Sequence, residues 1–583
     1  MQVPLSQATG AVDHPRERRL SAVPRVAVLL ALVLALVACG CSDETAGPPT
    51  LGGADPDSGT AGTLVTLTGS NFTSRLAVSF GSLEATSISV ISSSTVAVHA
   101  PDGLENGQSY TISVRNPGSS EDQLMDEFRA VPPRLQVVNG VSKPSGQLGS
   151  TVILEGRAFG DLLGRGSVFF TDDTGAPVEA VVSLEDNWTN DFIVTTVPQA
   201  VESGPMWVET ATGVSDSVAF RVESAATFSP SQILWTETTT LPAPSQGHRS
   251  VFLPNDDLLG VENTIFVAGG ADGALLPRSD VWQGAVDDLG QIPSWSATTS
   301  LPEPRAFHGM ALATPFNALL DTTMAGHIYA IGGIDSTGAP STTVFRAPVF
   351  ADRSLGGWTS ETSLPQALHS MGCTVFRSWL YVCGGAGPGN AAVDESYRAR
   401  IQLDGSLGPW EMEPSLPMPR AYGVLTKFAG VLYMVGGDGG STAPGSASTT
   451  ATQSASIYYN RLDLRTGQLQ WPGWVLNSSE LIKSVAKHSV LVAGGTMLVS
   501  GGVYNGAGSS ATEHQYATIN LDGSVSSFNG ATGSHTIVAA TGVPFFNHSA
   551  ITYVDSGGEA HVMILGGNDV QDPTTPTGRN WYY

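Results

Sequence analysis

His327-Ile328-Tyr329-Ala330-Ile331-Gly332-Gly333 is an apolar strand that ends in a glycine pair. The same ending occurs six times: Gly269-Gly270, Gly332-Gly333, Gly384-Gly385, Gly436-Gly437, Gly501-Gly502 and Gly566-Gly567. The intervals are 63, 52, 52, 65 and 65 residues. Three residues before each pair stands a large side chain: Phe266, Tyr329, Tyr381, Tyr433, Leu498 and Met563. Between the pairs comes a tryptophan or a substitute, at Trp235, Trp295, Trp358, Trp410, Trp471 or Trp474, and Phe528. Leu-Pro follows four of these, at Leu241-Pro242, Leu301-Pro302, Leu364-Pro365 and Leu416-Pro417, and Pro-Arg follows two of those, at Pro304-Arg305 and Pro419-Arg420. A further pair, Gly494-Gly495, falls in a hairpin turn of the fifth unit and is not counted.

Self-similarity at such a period is the mark of one supersecondary unit repeated. The pattern resembles the kelch repeat, and the likeness covers residues 229–583. It implies a six-bladed β-propeller, each blade a four-stranded sheet that buries its faces only against its neighbours. The paired glycines allow a sharp turn at the end of the second strand, where a Cβ would clash. The repeats open on Ile233-Leu-Trp235-Thr-Glu-Thr-Thr-Thr-Leu241, an outer strand with no unit before it. They finish on Arg579-Asn-Trp-Tyr-Tyr583, which reads as a third strand. The N-terminal strand is therefore expected to complete the last blade, which leaves no orphan edge.

Two related segments precede the repeats. The first carries Gly59-Thr-Ala-Gly62, Gly69-Ser-Asn-Phe72, Val78-Ser-Phe80-Gly81 and Thr95-Val-Ala-Val98 before Pro101. The second runs in the same order through Gly146-Gln-Leu-Gly149, Gly156-Arg-Ala-Phe159, Val168-Phe-Phe170 and Ile193-Val-Thr-Thr-Val197 before Pro198. Apolar alternation gives strands with one buried face, and Phe72 and Phe159 are expected to plug the ends of two sandwiches. Both segments, residues 49–131 and 132–224, resemble IPT/TIG domains, which are immunoglobulin-like. In a chain of this kind the resemblance implies spacers. The expected fold class is thus all-β: two immunoglobulin-like sandwiches followed by a six-bladed kelch propeller closed by its N-terminal strand.

At the N-terminus, Arg16, Arg18, Arg19 and Arg25 precede an apolar run from Val26 to Val37. Twelve residues suit the h-region of an export signal better than a bilayer span. The run ends in Leu36-Val37-Ala38-Cys39, similar to the bacterial lipobox. That resemblance implies a signal peptide over residues 1–38, lipidation of Cys39, a polar tether over 39–48, and a membrane anchor without a transmembrane helix. Gly40, in place of an inner-membrane retention Asp, points to the outer membrane, with the chain facing the surface or the periplasm. The formal charge of −25, with lysines only at 143, 427, 483 and 487, argues against nucleic acid, whose phosphates require clustered cations.

Each innermost repeat strand is expected to begin at a polar residue: His248, His308, His369, Tyr422, His488 and His548. Arg249, Arg305, Arg420, Lys487 and Asn547 lie nearby, and the loops after the glycine pairs add Asp272, Asp335, Asp438, Asn568 and Asp569. These positions converge on one mouth of a propeller, where a ring of His, Arg and Asp can recognise a sugar, a carboxylate or a protein loop. The same histidines can instead belong to the repeat itself, bonding backbone between blades, and the acids can be turn formers.

No zinc or calcium spacing is present, and no metal or other cofactor is expected. Galactose-oxidase-like enzymes and sialic-acid mutarotases share the kelch architecture, but their catalytic patterns cannot be matched here, so catalysis rests on fold analogy alone. Cys373 and Cys383 flank a hairpin. A three-residue turn centred on Ser378 lets them form a disulfide, whereas a two-residue Arg377-Ser378 turn sets them on opposite faces. Residues 436–456, rich in Gly, Ser, Thr and Ala, read as a long surface loop or a lid over the mouth. The expected function is a lipid-anchored binding protein that presents its propeller to an extracellular glycan or protein. The alternative is an extracytoplasmic sugar enzyme.

Overall fold

A computed structural model describes residues 47–583 apart from 86, 139–143, 147, 150, 183–186, 223–232, 255–262, 288, 315–323, 403, 442, 445–451, 464–465, 494, 505–513, 521, 532–544, 555–559, 570–575 and 583. The signal-peptide segment, Cys39 and most of the tether lie outside the described residues. The described fold is all-β.

In the first sandwich, one sheet runs Thr50–Asp55, Leu64–Ser70, Thr95–His99, Ile88–Ser92. The other runs Ser58–Gly59, Glu121–Ala130, Ser109–Arg115, Ala77–Phe80, Leu83–Glu84. Alternate residues turn inward, so Val65, Leu67, Phe80, Val96, Val98 and Phe128 form the core. The second sandwich repeats this order: Arg134–Val138, Thr151–Arg157, Phe192–Thr196 face Ser145–Gly146, Val218–Val222, Gly204–Thr210, Gly166–Thr171, Pro177–Ala180. In each, a two-residue strand joins its sheet in parallel.

The shared Gly-x-x-Phe has a steric cause. A Cβ on Gly69 would lie 2.5 Å from the Phe72 ring and 2.0 Å from the Thr50 carbonyl oxygen. On Gly156 it would lie 2.4 Å from the Phe159 ring and 2.0 Å from the Arg134 oxygen. Each ring folds back over its glycine and is buried, as a plug requires. The two sandwiches are joined directly, since Asp161 accepts the Leu64 N–H through its carboxylate (2.8 Å) and donates its own N–H to Gly62 (2.9 Å).

Among the described residues, the repeats form six antiparallel sheets of four or five strands, and a two-stranded ribbon pairs Val485–Ala486 with Val503–Tyr504. Their first and second strands are Arg249–Leu253 with Asn263–Ala268, Gly309–Ala313 with Met324–Ile331, Gly372–Phe376 with Trp379–Cys383, Val424–Phe428 with Val431–Val435, Ser489–Ala493 with Thr496–Ser500, and Ser549–Val554 with Ala560–Asp569. Third and fourth strands complete each sheet. The sixth takes its fourth strand from the start of the region: Thr236–Thr238 pairs with Pro576–Tyr582, Glu237 opposite Trp581. The first strands pack in succession, and the sixth packs on the first.

Both glycines of each pair are left-handed, for example Gly269 at φ 61° and Gly270 at 93°. A Cβ on Gly269 would come within 2.4 Å of the Arg305 carbonyl oxygen in the next unit. The close approach lets the second glycine bond across the gap. Gly270 N–H donates to Arg305 (2.8 Å), Gly333 to Leu368 (2.8 Å), Gly385 to Arg420 (2.7 Å), Gly437 to Val485 (2.8 Å) and Gly567 to Ser245 (3.2 Å). The motif thus stitches neighbouring sheets as well as turning the chain. The aromatic positions stitch further out. Tyr329 donates to Gly405 (2.5 Å), Tyr381 to Gly467 (2.5 Å) and Tyr433 to Gly523 (2.9 Å), each in the following sheet. Trp358, Trp410 and Trp474 donate back to Thr299, Thr362 and Pro414. Trp474, not Trp471, holds this place; Trp471 is 88% exposed.

The hairpin between Gly372–Phe376 and Trp379–Cys383 pairs Phe376 with Trp379, so its turn is the two-residue Arg377-Ser378. Cys373 then faces Val382, and Cys383 faces Gly372. The side chains point to opposite faces, and the disulfide considered for Cys373 and Cys383 does not form: both thiols are free.

That hairpin carries the second sandwich. Arg377 Nε lies 3.6 Å from Glu155 Oε2, its NH2 group bonds Asp191, and its guanidinium lies 4.5 Å from the centre of the Phe192 ring. Ile153 packs in one cluster with Phe376 and Leu425. The spacer expected at 132–224 is therefore fastened to the third and fourth repeat sheets.

Candidate functional site

Just before each first strand the backbone turns left-handed once. Gly247, Phe307, Ser370, Tyr422, Lys487 and Asn547 have φ of 62°, 53°, 53°, 57°, 59° and 56°. Their peptides close a cycle. The N–H of Phe307 donates to Gly247 (2.7 Å), Ser370 to Phe307 (2.7 Å), Tyr422 to Ser370 (2.9 Å), Lys487 to Tyr422 (3.1 Å), Asn547 to Lys487 (3.1 Å), and Gly247 to Asn547 (3.0 Å). A left-handed non-glycine residue costs about 1 kcal/mol, and five of the six bear that cost. The bonds to both neighbours offset it.

This ring sets the register of the candidate residues. His248, His308, His488 and His548 follow their ring residue by one position. Met371 and Gly423 stand at the same place in sheets three and four: the second glycine of each pair there, Gly385 and Gly437, abuts Met371 and Gly423 as Gly270 abuts His248. His369 precedes its ring residue, at the position of Ala306 and Ala421, and Tyr422 is itself a ring residue. The six residues read as one ring thus occupy three different positions.

The four aligned histidines are buried between sheets. His248 Nε2 lies 3.0 Å from the Leu565 oxygen, with Nδ1 3.1 Å from Ser245 Oγ. His488 lies against the carbonyl of Val435, the equivalent place. Burial holds His248 down to about 4 and His308, His488 and His548 down to about 3, with Arg249 adding to the shift at His248, His308 and His548. All four are neutral at pH 7.

The remaining candidates are placed as follows. Arg305 reaches Glu303 and Thr343 (both 2.6 Å), and Arg420 donates to the Gly436 oxygen (2.9 Å); both are buried in their own sheets. Asp272 and Asp335 cap tight turns, accepting backbone N–H groups two and four residues on. Asp438 is fully buried and accepts from Gly440 N–H and Thr452 Oγ1. Asp569 ends its strand opposite Phe545, and its side chain lies outside the described residues.

What converges at the ring is a different set. Lys487 Nζ sits 4.7 Å from the Tyr422 ring centre and donates to the carbonyls of Ala443 (2.8 Å) and Pro444 (2.9 Å). Asn547 Nδ2 donates to the same Pro444 oxygen (3.1 Å) and to Gln246 Oε1 (3.2 Å). His369 lies 6.2 Å from Tyr422 ring to ring and bonds Asn390 (3.2 Å). Burial brings the Lys487 amine down to about 7, with Asp438 opposing the shift. Ala443 and Pro444 belong to the Gly-Ser-Thr-rich loop and lie against two neighbouring members of the ring, Lys487 and Asn547. Lys487 and Asn547 each stand one residue before an aligned histidine, the only trace of the ring in the sequence. Pro444 and Gln246 left no such trace. Among the described residues, no three His, Cys, Asp or Glu side chains group as metal ligands.

At the other end of the chain, the first sandwich has the strand order and plugged Gly-x-x-Phe set out above. Residues 49–125 match the IPT/TIG domain. The match covers both sheets of that sandwich up to its last long strand, and it leaves the repeats to be read from their own geometry. No curated protein matches the chain.

Proposed function

We propose that this is an exported, lipid-anchored binding protein whose repeats form a six-bladed kelch-type propeller with its ligand at the ring end. In this reading Cys39 carries the lipid at the outer membrane, residues 132–224 are a second IPT/TIG domain, and the strand Thr236–Thr238 closes the propeller. The ligand is an extracellular glycan or protein. The observation that carries the reading is the six-residue hydrogen-bonded ring, three successive members of which, Tyr422, Lys487 and Asn547, bring an aromatic ring and two polar donors together. Polar donors gathered beside aromatic rings suit recognition of a polar ligand. The second sandwich supports it too, since it fastens to the Arg377 hairpin, at the far end of the first strands, and leaves the ring end clear of the IPT/TIG pair.

Two measurements test this. A labelled fatty acid should be incorporated into the parent chain and not into Cys39→Ser, and globomycin should make a larger, uncleaved precursor accumulate in the membrane. A glycan array and a pull-down from intact envelopes, each with the exported chain, should return a ligand whose binding is lost on altering ring-end residues. Silence in both sinks the binding reading, and rapid turnover of free sugars moves the case to an enzyme.

A further inference from the structure

The second sandwich carries an aromatic pair that its fold does not require. Its sheet with Glu155 and Phe192 is fastened to the repeats, and the outer face of its other sheet lies on the opposite side. On that outer face Phe169 and Trp207, paired across two strands, stack with ring centres 5.6 Å apart and planes at 23°. Glu179 stands opposite Phe169, and Glu209 opposite Ser167. Trp207 Nε1 donates to Glu209 Oε1 (2.9 Å), and Ser167 Oγ to Glu179 Oε1 (2.6 Å). Oε2 of each carboxylate bonds nothing among the described residues. A hollow of about 270 Å³ adjoins the pair, lined by Ser167, Glu209, Thr210 and Arg165, which Asp102 of the first sandwich holds in place.

The first sandwich shows what the fold alone asks for. Phe80 and Phe128 meet edge to face at 5.1 Å in its core, as Phe170 and Phe220 do in the second. Counted from these, Ser79 and Ser113 pair at the place of Phe169 and Trp207, and Arg115 stands at the place of Glu209. The aromatic pair is an addition, since the sister domain folds with two serines there.

We propose that this outer face is a second binding site, for a neutral glycan. The C–H face of a sugar ring lies against the Phe169–Trp207 pair, and its hydroxyls bond the carboxylates and the hollow. The negative faces of the aromatic rings attract polarised C–H groups. Oε2 of Glu179 and of Glu209 accepts sugar O–H groups in charge-assisted bonds, roughly twice as strong as neutral ones. The charges present select against the alternatives: an anionic sugar meets two carboxylates, and a cationic ligand meets the Arg165 guanidinium at the hollow. A polyol donates and accepts alike, as a lining of carboxylates, hydroxyls and a guanidinium requires. Nothing in this site depends on the ring end, and it gives the second sandwich a role beyond spacing.

The test is calorimetric titration of the full exported chain with three neutral hexasaccharides (cellohexaose, maltohexaose and mannohexaose), with hexagalacturonate and with hexa-arginine. It is repeated on the double variant Phe169→Ser/Trp207→Ser, which takes the first sandwich's own residues at these places and should keep its melting temperature. A second double variant, Glu179→Gln/Glu209→Gln, preserves the aromatic pair and removes only charge. At least one neutral hexamer should bind the parent chain, about tenfold or more weakly in the serine variant and roughly threefold more weakly in the glutamine variant. Equal binding of that hexamer by the parent and the folded serine variant overturns the proposal, as does binding of none of the three. Should the serine variant not fold, undiminished binding by the glutamine variant overturns it instead. Hexagalacturonate or hexa-arginine binding that the serine changes abolish, with the neutral hexamers silent, also overturns it and assigns the face to a charged ligand. Both variants leave the ring end intact, so its own tests stand apart from these outcomes.

Discussion

His248 Nε2 lies 3.0 Å from the carbonyl oxygen of Leu565, 317 positions away in the sequence. It ties the first repeat sheet to the sixth, just beneath the ring and just before the last glycine pair. Replacing His248 by alanine leaves that buried oxygen without its partner and opens a gap between two sheets. The expected loss is about 2–4 kcal/mol, read as a lower urea midpoint. An unchanged midpoint would show that the two ends are held elsewhere.

The same burial sets an acid limit. His248, His308, His488, His514 and His548 are held at about 3 to 4 in the folded chain, against 6.5 for an exposed imidazole. Below pH 6.5 the unfolded chain binds protons that the folded chain refuses, so stability is full above 6.5 and falls as pH drops towards 4. Each such histidine contributes a slope of up to about 1.4 kcal/mol per pH unit. Melting temperatures taken from pH 7.5 to 4.5 should fall steeply below 6.5. A flat profile contradicts buried neutral histidines.

Glycine pairs should be intolerant where ordinary turns are not. Gly269→Ala places a Cβ 2.4 Å from the Arg305 oxygen at φ 61°, which calls for backbone movement between sheets. A cost of about 3 kcal/mol or more is expected, with loss of soluble yield. Gly338→Ala, also left-handed but in open space, should cost about 1 kcal/mol. Similar melting points for the two variants would refute the stitching role.

Arg377→Ala should uncouple the second sandwich. It strands the Glu155 carboxylate, whose pKa burial already raises against the pull of Arg377. Breaking one side of a buried pair costs roughly 3–5 kcal/mol. Calorimetry should show the sandwich melting in a separate, earlier transition. A single unchanged transition would mean that the contact is not what holds it.

Cys373 and Cys383 should both alkylate in denatured, unreduced protein and be found modified by peptide mapping. In the native chain they should react slowly at pH 8, since burial pushes the thiols up to about 11 and about 12. Recovery of a Cys373–Cys383 disulfide peptide would contradict the two-residue turn.

Much of the strand pattern was legible in the sequence. Alternation in Leu64–Ser70, the six apolar runs before glycine pairs, and Gly69 with Phe72 each encode a local requirement that one side chain or its absence can state. The site was less legible. His369 and Tyr422 read in the sequence as members of one set with the other histidines, yet the structure sets His369 two positions and Tyr422 one position before the aligned place, which Met371 and Gly423 occupy. A left-handed φ at Ser370 or Lys487 carries no composition signal, because neither residue favours it.

By itself, then, the sequence determined that this chain is built of short paired strands with a six-fold repeat, and placed an IPT/TIG domain before it. Those features follow from side-chain period and glycine, which act within a few residues. Tertiary structure decided that Arg377 meets Glu155, that Cys373 and Cys383 stay apart, and that Lys487 meets Pro444 at a ring of six peptides. The cysteines are kept apart by the length of the Arg377-Ser378 turn, and the other two contacts depend on where one sheet's backbone ends relative to its neighbour. That offset is set by hydrogen bonds between segments far apart in the chain, and no local pattern records it.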